Sequence, residues 1–123
     1  MDDLLKQRLA ENGADVDGAI RRFMGNEALY SKFLGKFKED TSYENLLVSL
    51  DKKDFEEAFK CAHTLKGVSA NLGLDPIGQI SSNLTELLRG KEASEVDLEQ
   101  VSKERLELEK KYEIFAGIIA EGM

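Results

Sequence analysis

The stretch DFEEAFKCAHTLKGVSANLG, residues 54–73, has the apolar spacing of one long amphipathic helix. Asp54 precedes an acidic first turn, which is favourable at the positive end of a helix dipole, and Gly73 ends the pattern. Apolar and small residues recur at alternating steps of three and four, which predicts one core face: Phe55, Ala58, Ala62, Leu65, Ser69 and Leu72. We therefore expect this helix to bury that face against neighbouring helices.

His63, the only histidine of the chain, lies one residue off this face. Residues three and four apart are neighbours on a helix, so Lys66 and Gly67 share its side. We expect the imidazole at the flank of the buried face or in solvent. A glycine in a helix interior costs about 1 kcal/mol relative to alanine. That cost beside the one histidine suggests that a partner approaches the ring closely.

The charge around His63 favours chemistry with an anion. No acidic residue lies between Lys60 and Leu74, although the chain has 24 of them. A neutral imidazole nitrogen is a nucleophile, and a phosphoryl group on it carries negative charge that the flexible ammonium of Lys66 can balance. Gly67 leaves bare backbone for access. No second histidine, glycine-rich phosphate loop or metal-binding carboxylates accompany these residues, which suggests a phosphoryl carrier whose catalytic apparatus lies on another protein.

A structural explanation competes with this chemical one. A lone histidine near an apolar helix face is more often a packed or surface residue than a reactive one. A glycine in mid-helix can mark a close helix crossing. Cys61 is interpreted as a small helix residue without a role. The residues alone leave the structural and the chemical explanation open.

Composition narrows the class of protein. The 123 residues suffice for one domain with a single core. A net charge of −7 argues against a nucleic-acid binder, which needs a basic face, and the longest apolar stretch, residues 114–120, is too short for a membrane span. The single cysteine excludes an internal disulfide, and the acidic, amphipathic N-terminus is unlike a signal peptide. These features favour a protein of the reducing cytoplasm, and we expect it to have no metal site.

The remaining apolar spacing predicts further helices and no strands. Short helices are expected at residues 2–11 and about 15–24, and a helix begins at Asn26. Residues 41–44 (TSYE) have the form of a capping box, which marks either a new helix or a bend in a continuous one. Asp75-Pro76 starts the next helix as cap and first position, and residues 94–97 (SEVD) start the last.

The last helix carries a seven-residue apolar pattern in which Arg105 occupies an expected apolar position. An arginine can lay its stem on a core and keep its head in water. Every connection between helices is short, which makes sequential helices antiparallel neighbours. We predict one all-α domain over residues 1–123. It consists of an antiparallel up-and-down four-helix bundle at about 26–120, with short additional N-terminal helices within 2–24.

Residues 63–73 (HTLKGVSANLG) resemble the signature of histidine-containing phosphotransfer (HPt) domains, H-x-L-K-G with a second glycine six residues after the first. Residues 23–30 resemble the segment before the first bundle helix of that family, and residues 33–37 resemble its L-x-x-F stretch. The resemblance covers roughly residues 15–90, and the last helix agrees only in kind.

The resemblance implies a four-helix bundle that accepts a phosphoryl group from an aspartate of a receiver domain and passes it to another receiver. It implies His63 as the phosphoacceptor through Nε2, Lys66 as the stabiliser of the phosphoryl charge, and Gly67 as the opening for the partner. It implies a carrier without a cofactor, not an enzyme, because the partner supplies the catalytic groups and the metal. The expected partners are response-regulator receiver domains, a sensor histidine kinase, or both. The protein itself is expected to be a monomer.

This sequence departs from the family pattern at one position. Many members carry a glutamate or glutamine close to the ring on the following helix. Thr85 aligns with it, Glu86 is next, and Gln79 lies a turn and a half earlier. Which of the three orients the imidazole is open at this point.

Two other functions remain as alternatives to a phosphorelay intermediate. One is the phosphoacceptor module of a chemotaxis-type histidine kinase, phosphorylated by an ATP-binding domain. The other is a degenerate HPt-like binding module without transfer, although the intact set of His63, Lys66 and Gly67 argues against it. The start at Met1 and the end at Met123 favour a free-standing protein over a piece of a hybrid kinase.

Overall fold

The computed structural model describes all 123 residues and contains helices but no strands. Seven α-helices follow one another: α1 Asp3–Glu11, α2 Val16–Arg22, α3 Glu27–Lys36, α4 Ser42–Asp51, α5 Phe55–Asn71, α6 Asp75–Leu88 and α7 Leu98–Gly122. Single-turn 3-10 helices, Phe37–Glu39 and Ala93–Glu95, lie in the connections before α4 and α7. The predicted all-α fold is confirmed.

Helices α4 to α7 form the bundle, which therefore begins at Ser42 and not at about residue 26 as predicted, because α3 lies outside it. Helix α5 packs between α4 and α6, and α6 packs against α7. Helices α4 and α7 meet through their side chains, because the rings of Tyr43 and Tyr112 stack with centroids 3.7 Å apart. At the other end of α4, Arg105 of α7 reaches the carboxylate of Asp51 at 2.6 Å. Arg105 thus lies between core and solvent, as its position in the pattern predicted.

Helix α5 is the centre of this arrangement. All six residues of its predicted core face are buried. Gly78 of α6 lies against the same face, where an added Cβ would come within 3.8 Å of Ser69 Cβ and 3.7 Å of the Ala70 nitrogen. These are ordinary packing distances, so α6 lies on α5 at normal van der Waals contact and position 78 has room for an alanine side chain. The contact between α5 and α6 is therefore made on the core side of α5.

The loop between α1 and α2 is fastened to the turn after α5. The backbone N–H of Asp15 donates a hydrogen bond of 2.8 Å to the carbonyl of Gly73. Gly73 has a φ of 72°, and an added Cβ would lie 2.4 Å from the carbonyl oxygen of Asp15. Only glycine fits there, both for its backbone conformation and for the space.

Two side chains from the N-terminal helices donate hydrogen bonds to carbonyls at the C-terminal end of α5. The last carbonyls of a helix lack partners within it. The phenol of Tyr30 donates to the Leu72 carbonyl at 2.9 Å, and the guanidinium of Arg22 donates to the Ala70 carbonyl at 2.6 Å. The short helices therefore hold the end of the helix that carries His63.

Helix α7 spans 25 residues, about 37 Å at 1.5 Å per residue. Its C-terminal part extends past the bundle and packs against α1. Arg8 and Glu121 form an ion pair of 2.6 Å there, and Leu5 packs on Gly122. Helix α7 thus supports α1.

Two predicted helix starts are wrong in detail. The capping box at residues 41–44 does not form, because the Thr41 side chain accepts no backbone N–H. The Asp40 carboxylate instead accepts from Ser42 N–H at 2.8 Å, and α4 is a separate helix, not the far side of a bend. Asp75 is the first residue of α6 and not its cap, so Pro76 stands one position later than predicted.

The last helix begins at Leu98, with Asp97 as its side-chain cap, and not near Ser94. Glu92 and Glu95 form a capping box of their own around the preceding 3-10 turn, which separates that turn from α7. Local side-chain hydrogen bonds thus decide boundaries that apolar spacing leaves ambiguous.

Several large apolar residues outside α5 are exposed. Leu4 is 60% exposed, Met24 95% and Leu98 48%. Leu29 and Phe33 on α3 are about 40% exposed, with values of 38% and 42%. Leu5, Tyr30 and Leu34, the apolar residues next to Leu4, Leu29 and Phe33, are buried instead, because a short helix has room for only a narrow stripe against its support.

Candidate functional site

His63 lies on the exposed side of α5, next to the buried Ala62. This is the placement that the helical spacing predicts. The imidazole forms no hydrogen bond and no ion pair with any other residue of the chain. His63 is therefore an exposed residue and not one packed in the core, which leaves an ordinary surface histidine as the alternative to a reactive one.

Phe59, one turn before His63, forms an aromatic neighbour of the imidazole. The two rings are nearly parallel, with an interplanar angle of 13° and centroids 6.2 Å apart. The guanidinium carbon of Arg89, at the C-terminal end of α6, lies over the Phe59 ring at 5.1 Å from its centroid. A cation over an aromatic face is held by the ring quadrupole. The antiparallel packing of α6 thus brings Arg89 to the site.

Lys66 lies one turn after His63 and has no carboxylate within ion-pair distance, whereas Lys60 pairs with Glu56 at 3.9 Å. The side chain of Lys66 is half-buried along α6. Its ammonium is therefore the unpaired cation nearest to His63 along α5. Lys60 and Lys66 lie three residues before and three residues after His63, and of these two only Lys66 has no carboxylate partner.

Gly67 is exposed, and a Cβ added to it would meet no atom within 4 Å. No close helix crossing explains this glycine, so that alternative is wrong. A glycine in mid-helix lowers the stability of α5, and no packing contact compensates for it. The open surface that it leaves next to His63 is therefore the reason for a glycine at this position.

The three candidates for orienting the imidazole differ sharply. Thr85 is fully buried, and its hydroxyl donates to the Ser81 carbonyl at 2.7 Å, so its side chain faces the core and not the solvent side where His63 lies. Gln79 is exposed and donates to Asn83 at 3.1 Å. Glu86 is exposed and accepts hydrogen bonds from Arg89. None of them bonds to His63.

Glu86 is nevertheless electrostatically part of the site. The hydrogen bond from Arg89 lowers the pKa of the Glu86 carboxyl, and the charges of Arg89 and Lys66 lower it further. Glu86 is therefore a carboxylate near Lys66, which the lack of acidic residues on α5 did not predict.

The comparison with protein families gives one match. The model of the Hpt domain matches residues 29–113, which is more than half of the chain and includes His63. The chain belongs to the Hpt domain family. Hpt domains are phosphotransfer modules of two-component systems and act as phosphocarriers. Comparisons with curated protein sequences and with solved structures find no significant match.

The Hpt match places the family's part of the chain from α3 into α7. It therefore includes most of the last helix, which the sequence resemblance covered only in kind, and it leaves out α1 and α2. Hpt domains interact with receiver domains and kinases. The structure has no helix long and apolar enough to cross a membrane. It also has no group of three or more His, Cys, Asp or Glu side chains placed to hold a metal ion.

The sequence reasoning overlooked Arg89 as a residue of this site. Its charge and its place at the end of α6 were visible, but its approach to Phe59 depends on the register between α5 and α6. The antiparallel pairing of α5 and α6 could have indicated it. If Thr85 is opposite His63, then a residue four positions after Thr85 is opposite a residue four positions before His63. Arg89 and Phe59 satisfy that relation.

Proposed function

We propose that this Hpt domain carries a phosphoryl group on His63, taken from the aspartate of a receiver domain and passed to another receiver. The observation that carries the proposal is the exposed, unbonded imidazole of His63 beside the unpaired ammonium of Lys66 and the open backbone at Gly67. No other group in the chain combines nucleophilicity, exposure and a free neighbouring cation.

The transfer step needs little from this chain. An imidazole nitrogen, Nε2 by resemblance to the family, attacks the phosphorus of an aspartyl phosphate. The new N–P bond forms as the P–O bond to the aspartate breaks, and the aspartate leaves as a carboxylate. Phosphoryl transfer depends mainly on positioning and on stabilisation of charge on the phosphoryl oxygens. The receiver supplies its aspartate and its metal, so the Hpt domain is a carrier and not an enzyme.

Lys66 and Gly67 have distinct parts in this proposal. The ammonium of Lys66 is within one helical turn of His63, where it stabilises the phosphoryl oxygens as a point charge. Gly67 has no side chain, so no group projects from α5 at this position, on the side from which the receiver approaches. In-line attack requires the reacting atoms to come within about 3–3.5 Å, which a bulky side chain at this position would obstruct.

The wider proposal follows from this role. We infer one domain over residues 1–123 that acts as a monomer in the cytoplasm as a phosphoprotein. Its partners are response-regulator receiver domains, a sensor histidine kinase, or both. The net charge of −7 opposes binding to nucleic acid.

Incubation with receiver domains that carry radiolabelled phosphate tests the proposal. The Hpt domain is expected to take up label that is stable in base and labile in acid, as a phosphohistidine is. The variant His63→Gln, checked for folding by circular dichroism, should take up none. Equal labelling of His63→Gln would overturn the proposal.

A second arm of the experiment separates the related functions. Label taken only from a histidine kinase ATP-binding domain, and from no receiver, would indicate the acceptor module of a chemotaxis-type kinase. Tight binding of a receiver without any label would indicate a binding module. Either result would contradict the proposed exchange with receivers.

A further inference from the structure

Arg89 brings a second cation to the phosphoacceptor face from a different helix. Its guanidinium carbon lies 5.1 Å from the Phe59 centroid, and that ring lies 6.2 Å from the imidazole of His63. The guanidinium is thus no farther from the imidazole than these two spacings together. Arg89 caps the C-terminal end of α6, and its side chain is 52% exposed, so it has room to turn.

Glu86 holds Arg89 in this resting position. Its carboxylate accepts from Arg89 Nη2 at 3.1 Å and from Nε at 3.3 Å. Both side chains are more than half exposed, and exposed ion pairs of this kind are weak. The pair can therefore open when a stronger anion comes within reach of the guanidinium.

A phosphoryl group on His63 is such an anion. It carries more negative charge than a carboxylate, and it offers three oxygens to the planar fork of an arginine, which binds phosphate in a bidentate manner. Glu86 is close enough to Lys66 for that charge to lower the pKa of its carboxyl, so a second anion bound by Lys66 would repel Glu86. Both effects favour a change of partner by Arg89.

We propose that Arg89 is a phosphoryl-binding residue, and that phosphorylation of His63 draws its guanidinium away from Glu86. Glu86 is then the competing partner, which keeps Arg89 engaged in the unphosphorylated protein and opposes the phosphorylated state. The inference rests on the proposed function of His63. It assigns a role to the two residues of α6 that the His63, Lys66 and Gly67 set does not explain.

The exchange predicts opposite effects for its two members. Arg89→Gln removes a cation that binds the phosphoryl group, so the equilibrium between phosphorylated receiver and phosphorylated Hpt domain shifts towards the receiver, by about three- to tenfold. Glu86→Gln removes the competitor and one negative charge, so the equilibrium shifts towards the Hpt domain. A role limited to holding α6 in place would move both variants in the same direction.

The experiment measures this equilibrium with radiolabelled phosphate for the wild type, Arg89→Gln, Glu86→Gln and Arg89→Lys. Arg8→Gln and Glu121→Gln serve as controls, since they break an exposed ion pair on the α1–α7 side without touching the site. Arg89→Lys should restore part of the equilibrium because it keeps the charge. Thermal melts verify that all variants are folded.

The outcomes are distinct. Opposite shifts for Arg89→Gln and Glu86→Gln, with unchanged controls, support the exchange. Shifts in one direction, or no shift in a wild type that labels normally, overturn the role of Arg89 and leave the function of His63 intact. A wild type that takes no label overturns the proposed function and this inference with it.

Discussion

The phenol of Tyr30, on α3, donates a hydrogen bond of 2.9 Å to the carbonyl of Leu72, just beyond the last turn of α5. Tyr30 is fully buried, and Phe23 packs edge-on against it with ring centroids 5.8 Å apart. This bond joins a helix outside the bundle to the end of the helix that carries His63. It therefore links the N-terminal helices to the stability of α5.

Replacement of Tyr30 by phenylalanine is expected to destabilise the protein. The change leaves the Leu72 carbonyl buried without its donor, which costs about 1–3 kcal/mol in the free energy of unfolding. Urea denaturation followed by circular dichroism measures it. Tyr112→Phe is the matched control, because the Tyr112 hydroxyl bonds to no other residue and its ring keeps its stack on Tyr43. Equal losses in the two variants would show that the Tyr30 bond adds nothing.

Stability is expected to fall at high pH, between about 10 and 12. Burial raises the pKa of Tyr30 to about 12 and that of Tyr43 to about 12, from a usual value of 10.0. In this window the unfolded chain loses phenolic protons that the folded protein keeps. The unfolded state is therefore favoured as pH rises, by up to about 1.4 kcal/mol per pH unit for the buried Tyr30 and by less for the partly exposed Tyr43, because solvent screens its charge.

Urea titrations at pH 8 to 12 measure this dependence. The variant Tyr30→Phe should lose less stability over the same interval than the wild type, since one of the shifted groups is gone. Parallel pH profiles for the two proteins would mean that Tyr30 ionises as easily in the folded state as in the unfolded one.

The core of α5 was predictable because its spacing is unambiguous over 17 residues, and every predicted core position is buried. The short helices were harder to predict. In α1, Leu4 and Leu5 are adjacent and only Leu5 finds a partner, on α7. Which of two neighbouring apolar residues is buried depends on the angle at which a distant helix crosses. That angle is a tertiary property and is not encoded in local periodicity.

The site residues also differ in whether local helical spacing could predict them. His63, Lys66 and Gly67 lie on one helix, so their common exposed face follows from helical geometry alone. Glu86 lies on α6 and Arg89 directly follows it, and their approach to that face depends on how α5 and α6 pack around Gly78. The charge pattern of α5 predicted a purely positive site, whereas the structure adds a carboxylate and a guanidinium.

Gly67 offers a test that separates stability from function. Alanine at this position should raise the free energy of unfolding by about 0.5–1 kcal/mol, because it is a better helix former and its Cβ meets no atom. Gly117, also within a helix and also open, is the matched control, and Gly117→Ala should stabilise the protein similarly. Chemical denaturation measures both. No gain for Gly67→Ala would mean that its backbone is not freely helical.

A large side chain at Gly67 should slow phosphoryl transfer, whereas the same side chain at Gly117 should not. Gly67→Gln places a bulky side chain on the surface that we propose the receiver approaches, and a misplacement of about 1 Å can cost a hundredfold in rate. We expect a loss of about tenfold or more in transfer to His63, measured with labelled receiver. Gly117→Gln, on the last helix, should transfer at the wild-type rate. Similar rates for the two glutamine variants would contradict the role of Gly67 as the opening.

Lys66 is expected to matter far more than Lys60, although both lie three residues from His63. Lys66→Gln removes the unpaired ammonium that we propose stabilises the phosphoryl group, and loss of one charged hydrogen bond should slow transfer from a receiver about tenfold. Lys60 is engaged with Glu56 at 3.9 Å, so Lys60→Gln changes the net charge equally but should alter the rate by less than about twofold. Transfer rates at two salt concentrations measure the difference, because the contribution of a direct contact persists where long-range attraction is screened. Equal losses in the two variants would show that only the net charge of the surface counts, and that Lys66 does not contact the phosphoryl group.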